Sequence, residues 1–198
     1  MKNTIFTTPI LSPLLRFLAN LILRAVGWRV EGKLPDLQKY ILIGAPHTSN
    51  WDFVLFLGVI FTLRANVRFM GKAEIFHNPF GWFFYYCGGV PVDRKKATGL
   101  VEQMVEVCNK SDEFILTIAP EGTRHQVTEW KRGFYHIAKN AGIPIVMAQV
   151  DGKHKTVHIM EQVFQPTEDI EADIKTIKGV FEGVVGINPR KKYITLES

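Results

Sequence analysis

Short apolar runs rich in β-branched residues alternate along this chain with stretches of helical length, and that alternation most narrows its fold. Tyr40–Gly44, Val67–Gly71, Phe114–Ile118 and Pro144–Val150 are each too short for a helix, and each stops at Gly or Pro, within the run or just past it. Between them, Trp51–Leu63 is long and apolar apart from Asp52 and Thr62, and Gly99–Lys110 places Leu100, Met104 and Val107 on one side of a helix. A further helix runs to about Asn140, with Gly142 as its C-terminal cap. Val90–Asp93 predicts a short strand, Lys155–Glu161 an edge strand and Thr167–Phe181 a polar amphipathic helix. The pattern predicts an α/β fold: a single-domain αβ sandwich with a mostly parallel central sheet flanked by helices. A chain of 198 residues suffices for one such domain.

The chemistry concentrates where the first of these runs ends. Pro-His-Thr-Ser-Asn-Trp-Asp-Phe, residues 46–53, puts His47 on a turn between strand and helix, at the carboxyl end of a strand. Open α/β sheets bind their ligands there. Ser49 or Asn50 is the expected N-cap of the following helix, with Asp52 in its first turn, where a carboxylate meets the positive end of the dipole. An imidazole beside a carboxylate is a general base: the acid holds one ring nitrogen, and the other takes a proton from a hydroxyl. Capping preference alone also produces such pairs.

The N-terminus bears on membrane contact. Thr8–Trp28 is apolar but broken by Pro9, Pro13, Arg16 and Arg24, so it lacks the ~20 uninterrupted apolar residues of a spanning helix. It also lacks a signal-peptide cleavage pattern. Leu14, Leu15, Leu18, Leu21, Ile22 and Ala25 recur at helical spacing, and the charges up to Val30 are all positive: Lys2, Arg16, Arg24 and Arg29. Residues 1–28 are therefore expected to be an amphipathic, membrane-associating segment ahead of a domain over 29–198. The alternative is a helix packed on the protein's own core. A formal net charge of +5 suits an anionic partner: a phosphate-bearing metabolite, an anionic membrane surface or nucleic acid. Cys87 and Cys108 have no metal-ligand spacing and read as free thiols in a reducing compartment.

Further motifs sit at other strand ends. Asp93 is followed by the basic cluster Arg94-Lys-Lys. Pro120-Glu-Gly-Thr-Arg124 follows the Phe114–Ile118 run and combines free backbone N–H groups, a hydroxyl and a forked cation, the parts of a phosphate site. Glu121 is placed either to hold Arg124 or to bind a substrate hydroxyl. The aromatic run Phe80–Tyr86 reads as core or as the wall of an apolar groove.

Together these motifs resemble the glycerolipid acyltransferases, the group that contains bacterial 1-acylglycerol-3-phosphate acyltransferase. Four blocks occur in that family's order: His47-Thr-Ser-Asn-Trp-Asp52, Gly88-Gly-Val-Pro-Val-Asp-Arg94, Pro120–Arg124, and Ile143-Pro-Ile-Val146 after Lys131 and Gly133. Lys72-Ala-Glu74 resembles the family's lysine-containing segment. Ala119 and His125 depart from the residues usual beside the third block.

The resemblance implies an O-acyltransferase of phospholipid biosynthesis. His47 would act as base, oriented by Asp52, and Arg94, Glu121, Gly122, Thr123 and Arg124 would bind the acceptor and its phosphate. Lys72, Lys131 or backbone N–H groups would contact the donor or its oxyanion. The expected partners are an acyl thioester donor (acyl-CoA or acyl carrier protein), a lysophospholipid acceptor and an anionic membrane, with no nucleic acid, no metal and no cofactor. The expected location is the cytoplasmic face of the membrane. Two other readings stand beside it. One is a metal-dependent phosphoesterase using His47, Asp52 and Glu121, although His77, His125, His136, His154 and His158 show no acidic partner at motif spacing. The other is a non-catalytic lipid-binding protein on the same fold.

Overall fold

The computed structural model describes residues 4–93, 99–125 and 127–189. The chain opens with α1 (Leu11–Ala25), β1 (Arg29–Glu31), β2 (Lys39–Ala45), α2 (Trp51–Leu63) and β3 (Val67–Lys72). Two short helices, α3 (Ala73–Phe76) and α4 (Gly81–Tyr86), lead to β4 (Gly89–Val92), α5 (Leu100–Asn109) and β5 (Phe114–Ile118). The last elements are α6 (Gly133–Ala141), β6 (Ile145–Asp151), β7 (Thr156–Ile159) and α7 (Ile170–Val180). The sheet order is β1-β7-β6-β2-β5-β3-β4, parallel except between β6 and β7.

A parallel sheet is covered on both faces, so its strands carry apolar residues on both sides. On one face Ile41, Ile43, Leu116, Ile145 and Met147 pack with residues of α5, α6 and α7. On the other, Tyr40, Leu42, Val146, Ala148 and Ile159 lie beneath α2. That explains why α2 is apolar all round: Leu55, Val59 and Ile60 are buried, while Trp51, Phe53 and Val54 emerge at its first turn.

One expectation needs correction, and three open readings gain detail. β7 is not an edge strand, because Arg29–Glu31 pairs with Thr156–His158 in parallel and takes the edge. The cap of α2 falls on one of its two candidates. Asn50 holds the N-cap position without a side-chain hydrogen bond, and Ser49 Oγ accepts the Trp51 N–H at 3.2 Å. The aromatic run divides: α4 leaves Phe80, Trp82 and Phe83 exposed, while Tyr85 packs on Phe76. Finally, α1 packs on the protein's own core and also keeps an apolar face exposed. Ala19 and Leu23 are buried, and Gly58 lets Leu23 approach, since a Cβ there would meet its side chain at 3.4 Å. Leu14, Phe17, Leu18, Leu21 and Ile22 nevertheless remain exposed.

Candidate active site

The carboxyl ends of β2 and β5 bring the first and third sequence blocks together. β2 ends at Ala45, and the loop after it carries His47. His47 Nδ1 lies 2.8 Å from Asp52 Oδ2, with the Asp52 side chain 8% exposed and the His47 side chain 28% exposed. The same oxygen accepts the backbone N–H groups of Thr48 at 2.6 Å and Ser49 at 2.7 Å. Asp52 thus caps the loop that precedes its own helix, and three donors converge on one carboxylate oxygen. A carboxylate only accepts, so the proton between the pair resides on Nδ1, which fixes the tautomer of the uncharged ring. Nε2 keeps its lone pair, which is what a general base requires.

His47 and Arg124 line a cavity of about 430 Å³ between α2 and the sheet. His47, Ser49, Asn50, Asp52, Thr117 and Arg124 are its polar lining residues; the rest is almost wholly aliphatic and aromatic. The hollow has a cause in sequence. Gly44 and Ala148 are register partners on neighbouring strands, and a Cβ on Gly44 would meet nothing within 4 Å. Beneath an otherwise bulky helix, these small residues leave the sheet uncovered. A second cavity of about 420 Å³ adjoins the first, sharing Met70, Ile118 and Ala119, and is lined by Gly122 and Lys131. Gly122 has φ of +64°, a left-handed conformation that suits glycine, and an added Cβ would strike the Lys131 side chain at 2.7 Å.

The remaining candidates fall in different places. Glu121 lines neither cavity; it is 6% exposed, and its Oε1 accepts the His47 backbone N–H at 2.9 Å. This contact ties Glu121 to the loop that carries His47. Burial pushes its carboxyl above the ordinary range, and the His47 N–H offsets only part of this. Thr123 is half-buried, with Oγ1 accepting the His125 N–H at 3.3 Å. Lys72 is exposed at the end of β3 and lines neither cavity. Arg94 and its basic cluster lie outside the described residues.

A second histidine–carboxylate pair was not visible from motif spacing: His154 Nδ1 lies 2.6 Å from Asp151 Oδ2. It sits at the exposed turn after β6 and lines neither cavity. Among the described residues, no group of three or more His, Cys, Asp or Glu is placed to hold a metal ion.

Against known families, residues 28–150 match the acyltransferase domain. The chain belongs to the acyltransferase family. It is 30% identical over 135 residues to a 1-acyl-sn-glycerol-3-phosphate acyltransferase of Streptococcus pneumoniae, covering 63% of this chain and 50% of that protein. It is also 30% identical over 129 residues to the Escherichia coli protein of that name, covering 61% and 51%. The chain thus spans about half the length of these curated relatives. A crystal structure of a 1-acyl-sn-glycerophosphate acyltransferase, PlsC, from Thermotoga maritima superposes with a TM-score of 0.62 at 18% identity. That likeness covers 87% of this chain and 77% of the other and establishes the shared acyltransferase fold.

Proposed function

We propose that this chain transfers a fatty acyl group from an acyl thioester to a hydroxyl of a phosphate-bearing lysolipid. The acceptor best supported by the relatives' names is 1-acylglycerol-3-phosphate, which makes phospholipid synthesis the setting. The donor is acyl-CoA or acyl carrier protein. The observation that carries the reading is the His47–Asp52 pair lining a mostly apolar cavity that Arg124 also lines.

In the proposed reaction, His47 Nε2 removes the proton from the acceptor hydroxyl, and Asp52 Oδ2 stabilises the imidazolium that forms. The oxygen attacks the thioester carbonyl, the tetrahedral species collapses, the C–S bond breaks and the proton passes to the departing thiolate. No covalent enzyme intermediate is needed, because a thioester is already activated. The apolar cavity suits an acyl chain, and Arg124 suits the acceptor phosphate through its forked donors. Lys131, in the adjoining cavity with Gly122, is the better placed of the two candidate lysines to meet a phosphate or oxyanion.

The deciding experiment offers a labelled acyl thioester with a panel of lysolipids and follows both transfer and thioester hydrolysis. Label appearing in a phosphate-bearing diacyl product supports the proposal; hydrolysis alone, or phosphate release, overturns it. Within that assay, Arg124→Ala is expected to raise the acceptor KM about 10-fold or more while moving the donor KM little. An unchanged acceptor KM removes Arg124 from phosphate binding.

We also propose peripheral attachment to the cytoplasmic face of a membrane. No described helix is long and apolar enough to cross one. Support comes from the outward apolar face of α1, which carries the exposed Arg24, and from exposed Trp51, Phe53, Phe80 and Trp82. An amphipathic helix with arginine at its border binds an anionic interface in this way. Because Phe6, Ala19 and Leu23 belong to the core, deleting residues 1–28 would damage the fold as well as the surface. Replacing exposed Phe17 and Leu21 together by serine is the cleaner test. Binding to vesicles containing anionic lipid is expected to fall at least about 10-fold with the melting temperature unchanged. Equal vesicle binding contradicts membrane contact by α1.

A further inference from the structure

The segment after α7 lies beyond residues 28–150, the part of the chain that matches the family, yet it reaches the loop carrying His47. Gly152 N–H donates to Val185 O at 2.7 Å, tying the segment to the turn after β6. Ile187 packs against the core on the α2 side of the sheet. Asn188 N–H then donates to Thr48 Oγ1 at 3.0 Å. Gly186, which is buried, sits directly against the loop: a Cβ there would stand 2.6 Å from both Thr48 Oγ1 and Thr48 Cγ2, and 3.1 Å from Pro46 Cγ.

Thr48 is therefore held from both sides. Its hydroxyl accepts from the C-terminal segment, and its backbone N–H donates to Asp52 Oδ2 at 2.6 Å, the oxygen that also meets His47 Nδ1. Moving Thr48 moves a donor that fixes Asp52, and with it the orientation of the imidazole. Gly186 is not in the left-handed region, so alanine there strains no backbone dihedral and acts through the crowding of Thr48 and Pro46.

We infer that residues 185–188 form a positioning strap for the catalytic loop, with Gly186 and Thr48 as the positioning residues through which it sets the His47–Asp52 geometry. This rests on the reading of His47 as the base. Displacements of about 1 Å at a reacting group cost up to about 10²-fold in rate. Gly186→Ala is expected to lower kcat about 10-fold, with donor and acceptor KM within about twofold. Thr48→Val, which removes the acceptor oxygen without adding volume, is expected to lower kcat in the same way but less.

The double variant Gly186→Ala/Thr48→Ala removes both crowded Thr48 atoms. Its kcat should come close to that of Thr48→Ala alone, because the two tightest contacts are gone and only Pro46 Cγ, at 3.1 Å, remains. Fully additive losses, or a kcat unchanged in Gly186→Ala while the melting temperature falls, mean that the segment merely closes the end of the sheet. A readout independent of turnover separates the strap from the reaction assigned to the site. In protein labelled with ¹⁵N-histidine, the strap requires the His47 ring signals to change in Gly186→Ala. Unchanged ring signals overturn it whatever the activity. Changed signals in a chain that transfers no acyl group leave the strap standing and overturn the assigned reaction.

Discussion

His47→Ala is expected to reduce acyl transfer by at least about 10²-fold, the size of a general-base contribution, while the protein melts within about 2 °C of the parent. The two halves of that result have separate causes. Among the described residues that line the cavity, His47 is the one histidine, and Asp52 holds its Nδ1. Its removal leaves the loop itself intact, since Asp52 Oδ2 still accepts from Thr48 and Ser49, and Glu121 still accepts the residue 47 N–H. Transfer rates and a thermal melt on the same purified sample check both halves. Near-parental transfer eliminates the proposed base, and a collapsed melt would mean that the side chain is structural after all.

The second large effect is at Asp52, where two substitutions separate charge from architecture. In Asp52→Asn, the amide oxygen is drawn to the position where three donors converge, leaving the amide nitrogen where the unpartnered Oδ1 now lies. The loop and the ring tautomer then persist, but the imidazolium loses its counter-charge. A charge-assisted hydrogen bond is worth about 1–2 kcal/mol more than a neutral one, so kcat should fall about 5- to 30-fold with KM little changed. In Asp52→Ala, two loop N–H groups and the ring all lose their acceptor. There kcat should fall by about 10³-fold, and stability by about 2–3 kcal/mol, because buried donors are left unsatisfied. Calorimetry beside steady-state kinetics distinguishes the two variants. An asparagine variant as slow as the alanine variant would show that charge carries the whole effect, and that the loop contributes nothing to rate.

Some of this molecule is readable from local pattern because the causes are local. The helix Trp51–Leu63 and the strand Phe114–Ile118 occur at the expected limits, since a long apolar run and a β-branched run between polar turns each favour a single conformation. Gly142 ends α6 with a φ of +65°, as its place after the helix implied. The His47–Asp52 pairing also follows from a short loop and the first turn of a helix. Where the pattern was weak, it misled. Arg29–Glu31 carries two charges in three residues and becomes a strand only because β7 offers it a partner.

The alternation of strands and helices, the parallel sheet and the position of the His47–Asp52 pair at a strand end were set by sequence, because backbone periodicity and the reach of a five-residue loop are short-range properties. Tertiary structure alone decided the rest. It turned Glu121 away from the cavities and onto the His47 backbone, opened a hollow by setting Gly44 beside Ala148, and drew a C-terminal glycine against Thr48. Each of those depends on which distant segments become neighbours, and packing around a sheet settles that where spacing along the chain cannot.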